Sequence, residues 1–376
     1  MIRPVLCYDN YMSAKVRCSN FELLRIISML MIVVSHYFAH SVPMSALPLG
    51  PTRFFSELMC IGKIGVVIFM LISGYFLSAS KSGLKASRVL KLLLQVIFYS
   101  LGFYILFAVI GKADVTGDNT LISLTPISHK TYWFVTVYVL IYLFHPFINR
   151  FLDAMDKREC LRFILLSAVV LTIVRTVTMS DLYAGEAGAF LLYYAIGRYL
   201  RLYKKNFFAI RKNRIISLAI SVAIIALSII IFDRQGVYSF AGMEGPSNYF
   251  LVSNGSFFVL IIGVCIFCAI GYAKEFKNKF INFLASLTFG VYLIHDNPYV
   301  RTILWTDIFH CADYLAPRLL IPHMLGTVSA IFLACSAIEL VRKITVEKIY
   351  DVFVSPRIDT LQTVLVSRFC GQKKLK

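Results

Sequence analysis

The sequence predicts an all-α, polytopic membrane helix bundle of about ten transmembrane helices, with both termini cytoplasmic. Three observations predict it. The 376 residues are 59% hydrophobic with a mean hydropathy of +0.75, too apolar for a soluble fold of this size. The apolar residues form continuous helix-length blocks instead of alternating every second residue, which favours helices over a barrel. The net charge of +18 is sorted by loop: with a cytoplasmic N-terminus, 29 of the 38 Lys and Arg fall in inside segments and 7 outside. That asymmetry is the positive-inside rule. The basic character is therefore topology, and no nucleic-acid partner is expected.

The predicted spans are 21–40, 62–80, 89–111, 132–149, 161–177, 187–203, 214–232, 249–273, 281–297 and 319–341. Residues 1–20 are mixed and polar and read as a cytoplasmic N-terminal segment, with no cleavable signal before the first block. Residues 21–342 read as the transmembrane domain. Residues 343–376 read as a basic cytoplasmic tail, too short for a catalytic domain of its own. The nine cysteines are scattered. Cys265 and Cys268 have redox or zinc spacing but lie in an apolar span without a second pair, so they read as small hydrophobes. No metal site and no disulfide framework are expected.

The first span carries Arg25 and His36, and a charge and a titratable ring in hydrocarbon each need a reason to be there. Eleven residues at about 100° each return to within roughly 20° of one face, with a rise of roughly 16 Å. The two side chains therefore point the same way at different depths, as one wall of a path across the bilayer. Snorkelling of Arg25 to the interface and a structural hydrogen bond for His36 are the plain alternatives. In the second span, Ser73 and Gly74 suit either close helix packing or a passage lined by small residues.

At the start of the third span, Lys81, Lys85, Arg88 and Lys91 mark a cytoplasmic mouth. Arg88 and Lys91 share a face and suit a clamp on a phosphorylated donor, as well as plain positive-inside charge. The fourth span opens on Trp133, which fits an interfacial aromatic belt, and reaches His145-Pro146, which reads as helix termination. In the ninth span Tyr292 and His295 share a face. By depth, His36, Trp133 and His295 form an outer layer, and Arg25, Arg88 and Lys91 an inner one. The outer loops at 41–61, 112–131, 233–248 and 298–318 are long enough for a lid or acceptor groove.

Together these stretches resemble the acyltransferase-3 family, integral-membrane O-acyltransferases of the polysaccharide O-acetyltransferase type. The resemblance covers roughly residues 21–300. It rests on the Arg25–His36 helix, GVVIFMLISGYF, the YWF start of the fourth span with LIYLFHPFIN, and SLTFGVYLIH. It implies transfer of an acyl group, usually acetyl, from cytoplasmic acyl-CoA to a hydroxyl of a cell-surface glycan or lipid-linked sugar. The setting it implies is the bacterial plasma membrane, with acetyl-CoA as a donor substrate and no bound cofactor.

On this resemblance His36 is the catalytic histidine, Arg25 the essential arginine, and Trp133 the tryptophan of the WF motif. The family's R-x-x-R appears as Arg88-x-x-Lys91, where lysine keeps the charge but not the planar fork. Arg88, Lys91 and Ser73 would serve the donor; Trp133, Tyr292 and His295 would serve the acceptor or the base. A homo-oligomer stays open. A transporter for a polysaccharide precursor or small polar solute is the main competing reading. A haem oxidoreductase using His36 and His295, and a membrane scaffold, are others.

Overall fold

A computed structural model describes residues 18–369 except 42–43, 81–82, 180–184, 236–237 and 241–242. Residues 1–17 of the N-terminal segment, Lys81, and the tail from residue 370 lie outside the described residues.

The chain is a helical membrane bundle. It runs through α1 (Ser19–Ser41), α2 (Pro51–Leu58), α3 (Gly62–Leu77) and α4 (Ala86–Val109). After α5 (Gly117–Leu124) come α6 (Trp133–Asp153), α7 (Lys157–Ala168) and α8 (Arg175–Thr178), the last two joined by a π turn. Next are α9 (Gly185–Leu202), α10 (Arg211–Gln235), α11 (Tyr249–Val252) and α12 (Phe257–Gly271). The chain ends with α13 (Lys279–Ala285), α14 (Thr288–His295), α15 (Pro298–Thr302), α16 (Pro317–Arg342) and α17 (Ser355–Phe369). A two-stranded hairpin pairs Tyr238 with Gly245.

Among the described residues seven helical stretches are long and apolar enough to cross a membrane. The other three predicted spans are the 18-residue α9, α12, and α13 with α14. The predicted span 281–297 is broken at Ser286 and Leu287, between α13 and α14. The outer faces are apolar: Phe98, Ile105 and Val109 of α4, Leu165 of α7, and Ile220 and Leu227 of α10 are all exposed. A surface of this kind suits lipid, where the helix satisfies its own backbone.

The centre is built on small residues. α3 packs between α1 and α9, and glycines let the backbones approach. A Cβ at Gly65 would stand 2.4 Å from the Ser28 carbonyl oxygen. A Cβ at Gly74 would stand 2.2 Å from the Tyr194 carbonyl oxygen, and one at Gly197 2.3 Å from that of Leu71. Without a hydrophobic drive between helices in lipid, such close contact is what holds them together. Gly74→Ala should therefore lower stability by about 1–3 kcal/mol, read as an earlier thermal melt in detergent. A melt equal to wild type would refute the close-packing role.

The expected stop at His145-Pro146 is corrected: α6 runs on to Asp153. Proline removes one backbone donor, which orphans the carbonyl four residues before it. That carbonyl belongs to Tyr142, and the His145 Nδ1–H donates to it at 2.6 Å. The neighbouring side chain thus replaces the missing bond. Beyond Arg342, α16 passes through two π turns into α17. That extension packs on α4: the Ala86 N–H donates to Gln362 Oε1 at 2.9 Å, and the Tyr350 hydroxyl to the Ser87 carbonyl at 2.6 Å.

Candidate active site

α1 is pinned at both ends. Ser19 Oγ accepts from the Asn278 N–H at 2.8 Å and donates to Asn282 Oδ1 at 2.8 Å, while Asn20 Nδ2 donates to the Ile270 carbonyl at 2.9 Å. At the far end the Tyr37 hydroxyl meets His323 Nδ1 at 2.8 Å. The helix is long, apolar and free of Pro and Gly, so its register holds between these anchors. Its Arg25 and His36 face one cavity of about 380 Å³, as their spacing predicts.

The cavity is lined at one end by Arg25, Ser286 and Lys343, and at the other by His36, Lys63, Trp133 and Tyr292. Ser73 lines it too, while its neighbour Gly74 faces α9. Ser73 thus borders the cavity, and Gly74 makes the close helix contact. Ser73 donates to its own helix, at the Phe69 carbonyl, 2.9 Å away.

Arg25 is bound by Glu22 one turn earlier, with Nη1 at 3.0 and 2.9 Å from the two carboxylate oxygens. Trp133 stands in the cavity wall under Lys63, whose ammonium lies 4.2 Å over the ring centre. The preceding Tyr132 is fully buried and bolts this corner. Its hydroxyl donates to the Leu293 carbonyl at 3.0 Å and accepts from Asn297 Nδ2 at 2.8 Å. Tyr292 is buried, and its hydroxyl has no hydrogen-bond partner among the described residues.

The central contact is between histidines 259 positions apart: His36 Nδ1 and His295 Nε2 are 3.0 Å from one another. His295 Nδ1 lies 2.6 Å from the Val291 carbonyl, which only accepts, so Nδ1 carries the proton. In the neutral ring His295 Nε2 is then an acceptor, and the His36 Nδ1–H donates to it. The chain of bonds leaves His36 Nε2 with a free lone pair. Asp296 Oδ1 lies 3.7 Å from His36 Nδ1, 3.9 Å from His40 Nε2 and 3.8 Å from Arg301 Nη1. His36, His40 and Asp296 offer ligand atoms within 4.8 Å of one another, a spacing that a metal ion could occupy.

Arg88 and Lys91 are not brought to the cavity. Arg88 is exposed. Lys91 is paired with Glu347 at 2.8 Å and Asp351 at 2.9 Å, both from the π-turn region after α16. Its charge is thus spent on carboxylates that lie some 260 positions away in sequence.

Lys63, Tyr132, Asp296 and Lys343 did not emerge as site residues from the sequence. For Lys63 a signal existed: with Arg25 it is one of two basic residues outside every inside or outside segment. The others depend on contacts between distant parts of the chain.

Neither the curated proteins nor the solved structures gave a match. The acyltransferase-3 family model, described as an acyltransferase domain, matches residues 19–339, which span the bundle and every wall of the cavity except Lys343. That match covers most of the helical membrane bundle, and the chain belongs to the acyltransferase-3 family.

Proposed function

We propose that this protein transfers an acyl group, acetyl by default, from cytoplasmic acyl-CoA to a hydroxyl of a cell-surface glycan or lipid-linked sugar. It would do so in a bacterial plasma membrane, with His36 as general base. The observation that carries the reading is the relay Val291 carbonyl–His295–His36, which presents His36 Nε2 as a proton acceptor.

The chemistry follows from that atom. His36 Nε2 takes the proton of the acceptor hydroxyl as its oxygen attacks the thioester carbonyl. General-base assistance of this kind contributes about 10²–10⁴ in rate. The imidazolium formed keeps its Nδ1–H bond to His295 and gains the Asp296 carboxylate 3.7 Å away. As the tetrahedral intermediate collapses, the same proton passes to the departing CoA sulfur. The cavity lies between Arg25 and Lys343 at one end and His36 at the other. The cationic end suits the polyanionic donor, whose acyl arm would reach past Ser73 and Phe69 towards His36.

The test is acetyl-CoA turnover by the purified protein in nanodiscs, followed as free thiol, with a crude glycan extract as acceptor. Thiol release above an empty-disc control, with label from the acetyl group appearing in the glycan, is expected. Absence of release with acetyl-CoA and with longer acyl-CoAs would overturn the acyl-CoA reading.

A further inference from the structure

The site has a second charged group that the base mechanism leaves unused. Lys63 opens α3 immediately after Gly62, where the chain is squeezed against α1. A Cβ on Gly62 would stand 2.8 Å from Ser35 Cβ, so only glycine brings this end of α3 against the residue before His36. That approach sets Lys63 in the cavity wall at the His36 end.

Three cations line the cavity, and they are held differently. Arg25 is bound to the Glu22 carboxylate, and Lys343 donates to the Ser286 carbonyl at 3.4 Å. Lys63 makes no ion pair or hydrogen bond among the described residues and rests on the Trp133 face. An aromatic face holds a cation through its quadrupole without neutralising it. The Lys63 charge therefore stays available inside the cavity, whose wall it shares with His36.

We propose that Lys63 stabilises the oxyanion of the tetrahedral intermediate, as the electrophilic partner of His36. The inference rests on the acyl-transfer reading above and adds a catalytic residue to it. As the acceptor oxygen bonds to the acyl carbon, the carbonyl π pair moves onto oxygen, and that negative charge is set against the Lys63 ammonium. When the C=O re-forms, the C–S bond breaks and CoA leaves with the proton held by His36. Positive charge then develops beside Asp296 and negative charge beside Lys63, each next to a fixed opposite charge. Preorganised charge at a developing oxyanion is worth most where water is excluded. Trp133 is a positioning residue in this scheme, because it aims the ammonium.

The experiment compares wild type with Lys63→Met, Lys63→Gln and Lys63→Arg in nanodiscs, using acetyl-CoA and then succinyl-CoA with a crude glycan extract. Thermal melts accompany each variant. Met and Gln should lower kcat with acetyl-CoA by about 10²–10³, with KM for acetyl-CoA and affinity for free CoA within a few-fold of wild type. Arg, which keeps the charge, should recover part of the loss. Wild-type kcat in a folded Met or Gln variant would overturn the proposal. So would a loss confined to KM with succinyl-CoA, which would make Lys63 a binder of a permanent carboxylate. If Met fails to fold, the Gln and Arg variants decide by the same criteria. Failure of wild type itself to release thiol would instead overturn the acyl-CoA reading, and the Lys63 role with it.

Discussion

His36→Ala is expected to lose acyl transfer almost completely, with thiol release from acetyl-CoA falling by about 10²–10⁴. The substitution removes the only group that the relay leaves as a free base. It should leave the bundle intact, because α1 is anchored by Ser19, Asn20 and Tyr37 and by the glycine contacts of α3. Binding of free CoA should therefore persist. His295→Ala should cost less, since the base survives and only its tautomer is released. The two measurements together separate a base from a structural histidine. Transfer at the wild-type rate in a folded His36→Ala protein would remove His36 from the mechanism.

Arg342→Ala should be the most damaging single change to stability, at about 3–5 kcal/mol. Arg342 and Glu339 are both buried, and Nη2 donates to Glu339 Oε1 at 2.8 Å while Nε donates to Oε2 at 2.8 Å. The Tyr99 hydroxyl and Gln95 Nε2 add bonds to the same carboxylate at 2.6 and 3.0 Å, and Arg342 also reaches Glu347 at 2.6 Å. Truncating the arginine leaves a carboxylate buried with only neutral donors. The effect would appear as a large drop in melting temperature in detergent. The double variant Arg342→Met with Glu339→Gln should recover much of it, because the cost lies in the orphaned charge. A single variant that melts with wild type would show that the network is not what ties α16 to α4.

Much of the site was legible because helix periodicity fixes which residues share a face. Arg25 and His36 were sorted to one wall by an eleven-residue spacing, and both line the cavity. Tyr292 and His295 were assigned one face by a spacing of three, and that face meets α1. The resemblance named the same helices, and the family match spans them. Periodicity does not say which helix a face meets. The His36–His295 bond, the Lys91 pairing with Glu347 and Asp351, and the Tyr132 bolt onto Leu293 all join residues more than 150 positions apart. Periodicity puts Arg88 and Lys91 on one helix face but does not show the carboxylates from another part of the chain that bind Lys91.

By itself the sequence determined a membrane bundle, the order of its spans and the pairing of Arg25 with His36 along α1. These follow from hydrocarbon thickness and the 3.6-residue turn, which act locally. Only the tertiary structure decided that Ser73 faces the cavity while Gly74 faces a helix, that Pro146 sits inside α6, and that Lys63 stands over Trp133. Those outcomes depend on how closely two backbones approach and on which side chain supplies a missing donor, and such contacts are set in three dimensions.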